Sequence, residues 1–100
     1  MREIEFSRAS RRDVADIRAE SEEKWGPEQC DRYLAELNRR IGRLKERPEL
    51  GPLFSATRPG LRKLTVGAHI VFYRVGEAHI RIVRILSQRM DLERRLGRHD

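Results

Sequence analysis

The stretch from Leu61 to Leu86, LRKLTVGAHIVFYRVGEAHIRIVRIL, decides the fold. It holds three runs rich in β-branched and aromatic residues, which favour strands. The runs are Leu61–Val66, His69–Val75 and His79–Leu86. Gly67 separates the first two runs, and Gly76-Glu77 separates the last two. Because such short turns join antiparallel neighbours, the stretch predicts a three-stranded antiparallel meander.

The two faces of this meander are not separable from the alternation alone. In the second strand, Ile70 and Phe72 share a face with Arg74, whereas Tyr73 and His69 share the opposite face. A slip of one residue in the last hairpin changes which side chains stack together, so the register stays open. We expect one face to be covered by helices and the other to present a mixed apolar and cationic binding surface.

The chain before the sheet begins with a strand and a helix. Residues 4–6 alternate apolar and charged side chains, which is typical of an edge strand. Ser7 or Ser10 then supplies the hydroxyl that caps a helix N-terminus. Small or apolar residues follow at steps of three and four, as on one face of a charged helix. They are Val14, Ile17, Ser21 and Trp25.

A second helix follows the Gly26-Pro27 break and runs to about Arg47. Its apolar face is wider and contains Cys30, Tyr33, Leu34, Leu37, Ile41 and Leu44. A two-residue connection between amphipathic helices predicts an antiparallel helical hairpin, which we expect to pack on the sheet. Glycines and prolines mark residues 48–60 as a loop, and Arg89–Leu96 is expected to form a short terminal helix.

The length of 100 residues predicts a single domain over residues 1–100, and the order of strand, helices and meander makes it α+β. The chain is 38% hydrophobic and 38% charged, and no apolar run approaches the roughly 20 residues of a membrane span. The charged N-terminus lacks the apolar core of a signal peptide, so we expect a cytoplasmic protein without a membrane partner. The single cysteine excludes an internal disulfide, and the Cys/His pattern predicts no metal site and no cofactor.

The net charge of +6 lies entirely in the second half of the chain. Residues 1–50 hold twelve basic and twelve acidic side chains, which leaves ten basic and four acidic side chains for residues 51–100. This asymmetry indicates either a solvated basic face or a surface that steers an acidic partner or nucleic acid. Sequence-specific DNA binding is not expected, because no helix-turn-helix is evident and the cations lack interleaved aromatic residues.

The order of strand, helical hairpin, three-stranded meander and short tail resembles the RelE/ParE toxin superfamily. The resemblance extends over about residues 4–96 and is greater to the ParE branch than to the RelE branch. It is carried by Ala9 with Asp13-Val14 and Ile17, Trp25-Gly26 with Gln29 and Tyr33, Arg47–Gly51, Pro59–Arg62, Phe72–Arg74 and Arg84–Asp91. Two departures are Ser87, where the family usually has a histidine, and Ile85, where it usually has a valine.

The resemblance implies the toxin of a bacterial type II toxin–antitoxin system. ParE-like toxins inhibit DNA gyrase without enzymatic activity, and the C-terminal segment of a ParD-like antitoxin wraps and neutralises them. We assign the contact with gyrase to three cations, Arg81, Arg84 and Arg89. We assign the contact with the antitoxin to Trp25, Tyr33, Leu37 and Tyr73, although Trp25 and Tyr33 also suit a packing role.

The alternative is a ribosome-dependent mRNA endoribonuclease similar to RelE. Such chemistry needs a base, an acid and cations beside the phosphate. The candidates for proton transfer are His69, Tyr73 and His79, and the candidate cations are Arg62, Lys63, Arg74, Arg81 and Arg84. No histidine or tyrosine ends the last strand, where RelE-like toxins place one. We therefore predict no catalytic residues and a protein that is not an enzyme.

Overall fold

The computed structural model describes residues 1–90 and 92–97. In chain order the elements are β1 (Glu3–Phe6), α1 (Arg8–Gly42), a 3-10 turn (Arg43–Lys45), β2 (Arg62–Val66), β3 (His69–Val75), β4 (His79–Ser87) and α2 (Leu92–Leu96). The expected terminal helix begins later than predicted, at Leu92 rather than Arg89, and Asp91 lies outside the described residues. Among the described residues, no helix has both the length and the apolar character needed to cross a bilayer.

The four strands form one mixed sheet in the order β1-β4-β3-β2. β2 pairs with β3 and β3 pairs with β4, both antiparallel, while β1 lies parallel to β4 along the outer edge. The observed bounds of β2, β3 and β4 lie within one residue of the predicted strands. The prediction of a three-stranded sheet was incomplete, because the N-terminal strand joins it as a fourth member.

Helix α1 reverses direction at Gly26. The Ser7 hydroxyl caps its start by accepting a hydrogen bond from the Ser10 amide at 2.9 Å. Gly26 adopts φ 83° and ψ 166°, a conformation that favours glycine, and Pro27 starts the next turn. Across this break, Arg18 Nη1 lies 3.2 Å from Asp31 Oδ1. Thirteen residues of straight helix would span about 20 Å, so the two halves of α1 fold back on each other.

The hairpin prediction therefore needs correction in its details. A single residue, Gly26, makes the reversal, instead of a separate two-residue connection. The second half of α1 ends at Gly42 and continues as a 3-10 turn to Lys45, short of the predicted end at Arg47.

The main core lies between α1 and one face of the sheet. Its buried members include Ile17, Cys30, Leu34, Leu37, Ile41, Leu44, Leu64, Val66, Val71, Tyr73, Ile80, Ile82 and Ile85. Both helical halves contribute to this cluster, and Ile4, Phe6 and Val14 pack against it from the N-terminal segment. Burial of a large apolar side chain contributes about 1.5–3 kcal/mol before conformational entropy is subtracted. The apolar stripes of the two helical halves are thus used for packing.

The reverse face of the sheet is covered by the chain itself. A second cluster buries Leu61, Ile70, Phe72, Val83, Leu86 and Leu96, with Phe54 and Leu92 packed against it. The rings of Phe54 and Phe72 meet edge to face, with their centroids 5.0 Å apart. The prediction of an open apolar and cationic reverse face was wrong, because the loop before β2 and helix α2 supply apolar side chains that seal it.

A β-bulge in β4 directs side chains into both clusters. Phe72 pairs with Arg84 and Tyr73 pairs with Ile82, so Val83 is an extra residue in β4. An extra residue interrupts strand alternation. As a result, Ile82 and Ile85 both enter the main core although they are three residues apart, while Val83 and Leu86 enter the second cluster.

Candidate functional site

The rings of three residues contact one another near the point where α1 reverses direction. They belong to Trp25, Tyr33 and His69. The Trp25 and Tyr33 centroids are 6.4 Å apart, and those of Tyr33 and His69 are 5.6 Å apart. Trp25 is 47% exposed, whereas Tyr33 and His69 are partly buried. The break at Gly26 ends the first helical half directly after Trp25, so the indole projects from the tip of the hairpin.

The middle ring is fixed by hydrogen bonds to the turn between β2 and β3. The Tyr33 hydroxyl lies 2.6 Å from His69 Nδ1 and 3.1 Å from the Val66 carbonyl oxygen, and the Ala68 amide donates to it at 3.3 Å. Gly67 lies directly beneath the ring, because a Cβ there would be 2.8 Å from Tyr33 Cε1. Burial raises the pKa of Tyr33, with the Ala68 amide opposing, and burial lowers the pKa of His69, with Glu20 opposing.

Two hollows flank the exposed indole. The outer hollow is a shallow depression of about 540 Å³, largely open to solvent, lined by Trp25, Gln29, Arg32 and Tyr33. The inner hollow encloses about 210 Å³ between the first helical half and the end of β4. Its lining is Ile17, Glu20, Ser21, Lys24, Trp25, Ala68, His69, Ser87 and Arg89. We call Lys24, Trp25, Arg32, Tyr33 and Arg89 the Trp25 surface.

Arg84, predicted to contact the target, is instead part of the structural framework. Its guanidinium donates from Nε to Asp13 Oδ2 at 2.8 Å and from Nη2 to Asp13 Oδ1 at 2.9 Å. The two side chains are 14% and 9% exposed. These hydrogen bonds raise the pKa of Arg84 above its ordinary value, although burial opposes them. Its remaining nitrogen donates to the Arg95 carbonyl at 2.9 Å, so Arg84 also holds α2.

The other two predicted target contacts, Arg81 and Arg89, lie on the surface. Arg81 Nη1 forms an exposed ion pair with Glu5 Oε1 at 2.6 Å. Arg89 lines the inner hollow beside Trp25, and its side chain has no ion-pair partner within the described part of the chain. The structure therefore places Arg89, but not Arg81, next to the aromatic side chains predicted to bind the antitoxin.

Of the four predicted antitoxin contacts, Trp25 and Tyr33 adjoin each other near the surface, but Leu37 and Tyr73 do not. Leu37 is 1% exposed and Tyr73 is fully buried. The Tyr73 hydroxyl donates to the Pro48 carbonyl at 2.7 Å and accepts from the Gly51 amide at 2.8 Å. Both side chains are buried in the main core. The prediction that they contact the antitoxin was therefore wrong for the folded chain.

The residues considered for RNA cleavage are not assembled into one site. Tyr73 is buried under the loop before β2, whereas His69 is hydrogen-bonded to Tyr33 at the opposite end of β3. His79 is exposed at the start of β4. Arg62 donates to the Gly51 carbonyl and Arg74 donates to the Pro59 carbonyl. The candidate groups for proton transfer are thus distributed along the strands.

Asp13 has a role that the sequence pattern did not indicate. β1 ends at Phe6, but β4 continues to Ser87, which leaves part of the β4 edge without a neighbouring strand. The Ser7 hydroxyl donates to the Val83 carbonyl at 2.7 Å, and Asp13 Oδ2 accepts from the Ile85 amide at 2.9 Å. Side chains of the first helical turns therefore complete the edge of the sheet. No periodicity signals a contact that joins residues 71 positions apart.

Among the side chains that the structure describes, which exclude that of Glu93, no group of three or more His, Cys, Asp or Glu is arranged to hold a metal ion. Cys30 is a free, buried thiol in the main core. The candidate site offers aromatic rings, cationic side chains and hollows, and these features are suited to binding a partner.

Several known proteins are similar in sequence to this chain over most of its length. The family described as "ParE toxin of type II toxin-antitoxin system, parDE" matches residues 4–92. "Toxin ParE1" of Caulobacter vibrioides is 38% identical over 97 residues, which cover 97% of this chain and 100% of that protein. "Toxin ParE1" of Mycobacterium tuberculosis strain H37Rv is 47% identical over 75 residues, covering 74% of this chain and 76% of the relative.

A solved structure supports the same fold. A chain of the "Chromosomal ParDE TA system from P. aeruginosa" superposes with a TM-score of 0.76 at 22% identity, covering 87% of this chain and 96% of the other. Because the family match spans most of the sequence and the Caulobacter relative aligns along its full length, this chain belongs to the ParE toxin family of type II toxin–antitoxin systems.

Proposed function

We propose that this chain is a toxin that inhibits DNA gyrase by binding, without enzymatic activity, and that a ParD-like antitoxin neutralises it. Membership of the ParE family supports the toxin role. The similar solved structure comes from a ParDE system, which supports an antitoxin partner for this chain as well. Gyrase acts on cytoplasmic DNA, so the proposal places the toxin in the cytoplasm.

The observation that carries the non-enzymatic proposal is the use of the proton-transfer groups in internal hydrogen bonds. The Tyr73 hydroxyl bonds the Pro48 carbonyl and the Gly51 amide, so it fastens the loop before β2. His69 Nδ1 bonds the Tyr33 hydroxyl. A general base must reach the proton that it removes, but Tyr73 is fully buried and His69 Nδ1 is already bonded to a hydroxyl of the chain itself. This arrangement favours a binding protein over a nuclease similar to RelE.

The exposed cations are the groups that we assign to gyrase. Arg89 has an unpaired guanidinium among the described residues, whereas the exposed ion pair of Arg81 with Glu5 exchanges readily with solvent and with a partner. Arg84 is excluded from this surface, because removing it from Asp13 would leave a carboxylate with little solvent access. The antitoxin contact is correspondingly assigned to Trp25 and Tyr33.

Two reactions with the purified chain test this proposal. In the first, the chain is added to gyrase, relaxed plasmid and ATP. In the second, it is added to ribosomes that carry a defined message. Inhibited supercoiling or trapped cleaved DNA, together with intact RNA, is the expected result. Codon-specific cuts in ribosome-bound RNA with unaffected gyrase would replace the proposal with RelE-like cleavage.

A further inference from the structure

We propose that the Trp25 surface binds an acidic segment of the antitoxin and that an apolar side chain of this segment inserts beside the indole. This inference rests on the proposed function, because it names the place and the chemistry of the antitoxin contact. It requires three properties of the surface: cations without internal partners, an aromatic side chain that is held ready, and a hollow to receive an apolar group.

The cations of this surface are exposed. Among the side chains that the structure describes, which do not include Asp91, Glu93 or residues 98–100, none forms an ion pair with Lys24, Arg32 or Arg89. Elsewhere, Arg18, Arg39 and Arg84 are paired with carboxylates of the chain itself. Three cations around two hollows, with Glu20 as the carboxylate in the lining, give a positive surface that complements acidic side chains.

The aromatic side chain of Trp25 packs against a ring that the fold holds in place. Trp25 contacts the Tyr33 ring, which is fixed by hydrogen bonds to the β2–β3 turn. An anchor that is restricted on one side loses less conformational freedom on binding, and tryptophan and arginine are the residue types that most often dominate interface energies. An indole that is 47% exposed still has much apolar area to bury.

The inner hollow suits a peptide better than a nucleic acid strand. Ile17 contributes an apolar wall, and Glu20 disfavours any anion inside the hollow, whether phosphate or carboxylate, so the hollow suits an apolar side chain. A peptide can place an apolar side chain against Ile17 and Trp25 while its carboxylates reach Lys24 and Arg32. Such a segment would also cover Arg89, the proposed gyrase contact, so occupancy of this surface would by itself explain neutralisation.

The single tryptophan provides a direct probe. We would incorporate 5-fluorotryptophan into the full chain, so that Trp25 gives one ¹⁹F resonance, and titrate it with the purified product of the reading frame adjacent to the toxin gene. The expected result is a shifted resonance that is protected from a soluble paramagnetic quencher. A short mixed-sequence DNA strand at the same concentration is expected to leave the resonance unchanged.

Variants of the full chain separate the contributions to affinity. Trp25→Ala is expected to weaken antitoxin binding at least about tenfold. Arg32→Glu is expected to weaken it about three- to thirtyfold at low salt, and less at high salt. Arg8→Glu is the matched control, because Arg8 is an exposed cation at the start of the first helical half, about 25 Å along the helix from Trp25, and the affinity of this variant should stay within about twofold of wild type.

The outcomes distinguish this inference from the proposed function. If the antitoxin binds the chain while the resonance and the affinities of Trp25→Ala and Arg32→Glu are unchanged, the antitoxin docks elsewhere and the Trp25 surface is ruled out. If the DNA strand, and not the antitoxin, shifts the resonance, this surface is a nucleic acid site. If calorimetry shows no binding between the wild-type chain and the product of the adjacent reading frame, the proposed antitoxin partnership is refuted, and this inference is refuted with it.

Discussion

Asp13 and Arg84 connect the first helical half to the end of β4 through two hydrogen bonds of 2.8 and 2.9 Å. The Asp13 carboxylate also accepts a hydrogen bond from the Ile85 amide, and the Arg84 guanidinium also donates one to the Arg95 carbonyl. This one pair therefore supports the edge of β4, the orientation of α1 and the position of α2. Its limited exposure makes it a structural element of the toxin.

Breaking this pair should destabilise the fold strongly. Asp13→Asn leaves the guanidinium without its counter-charge, and Arg84→Gln leaves the carboxylate without its own. Each substitution is expected to lower the free energy of unfolding by about 3 kcal/mol, measured by urea denaturation. A double-mutant cycle should show strong coupling between the two sites.

The exposed pair of Arg81 with Glu5 provides the control. Arg81→Gln is expected to cost less than about 1 kcal/mol, because solvent screens an exposed ion pair. Equal losses for Arg84→Gln and Arg81→Gln would contradict the structural role assigned to Asp13 and Arg84.

The strands were predictable from the sequence, but their surroundings were not. β-branched runs bounded by Gly67 and Gly76 locate β2, β3 and β4 within one residue. The bulge at Val83 was not visible, because an extra residue reverses the alternation that assigns faces. The cover of the reverse face was equally hidden, since Phe54 and Leu96 are far apart in sequence and belong to segments with little pattern of their own.

The candidate site was predictable to a similar extent. The break at Gly26 predicted that Trp25 lies at the tip of the hairpin, where the structure has it, whereas the antitoxin contact of Trp25 and Tyr33 stays a prediction. Leu37 and Tyr73 were misassigned because an apolar side chain on a helix stripe or strand is the same signal for a core position and for a groove. Arg84 was misassigned because its partner, Asp13, becomes a neighbour only in the folded chain.

Removal of the Leu96 side chain should open the reverse face. Leu96 is fully buried among the apolar residues of β3 and β4. Leu96→Ala is expected to lower the free energy of unfolding by about 2 kcal/mol and to increase binding of a hydrophobic dye. Leu53→Ala is the control, since Leu53 is largely exposed, and it should change stability by less than about 0.5 kcal/mol. Indistinguishable dye binding by wild type and Leu96→Ala would show that α2 does not cover this face.

Stability should decrease in mild acid because of His69. Burial lowers the pKa of His69 in the folded chain below its ordinary value of 6.5. Between the folded and unfolded pKa values the unfolded chain binds more protons, so this contribution is present above about pH 6.5 and is lost as the pH falls. Urea denaturation at about pH 7.5 and pH 5.0 measures the difference, which His69→Gln should reduce. If His69→Gln retains the full wild-type difference while His79→Gln abolishes it, the assignment to His69 is refuted.

The turn beneath Tyr33 should accept glycine alone. Gly67 has φ 57°, and a Cβ at this position would lie 2.8 Å from Tyr33 Cε1. Gly67→Ala is therefore expected to cost about 1–3 kcal/mol and to change the near-ultraviolet circular dichroism of Trp25 and Tyr33. Gly42→Ala is the matched substitution, because Gly42 has helical φ and open space around it, and it should be neutral or stabilising. A neutral Gly67→Ala with unchanged spectra would contradict this packing.

Inhibition of gyrase by binding is the activity that we propose for this ParE-family chain. The most direct test is a titration of the purified chain into a supercoiling reaction at fixed gyrase and plasmid. We predict inhibition that saturates as the chain occupies gyrase, is retained in His79→Gln, and is reversed by the antitoxin. Undiminished supercoiling at saturating chain, with cleavage of ribosome-bound message by the same preparation, would contradict it.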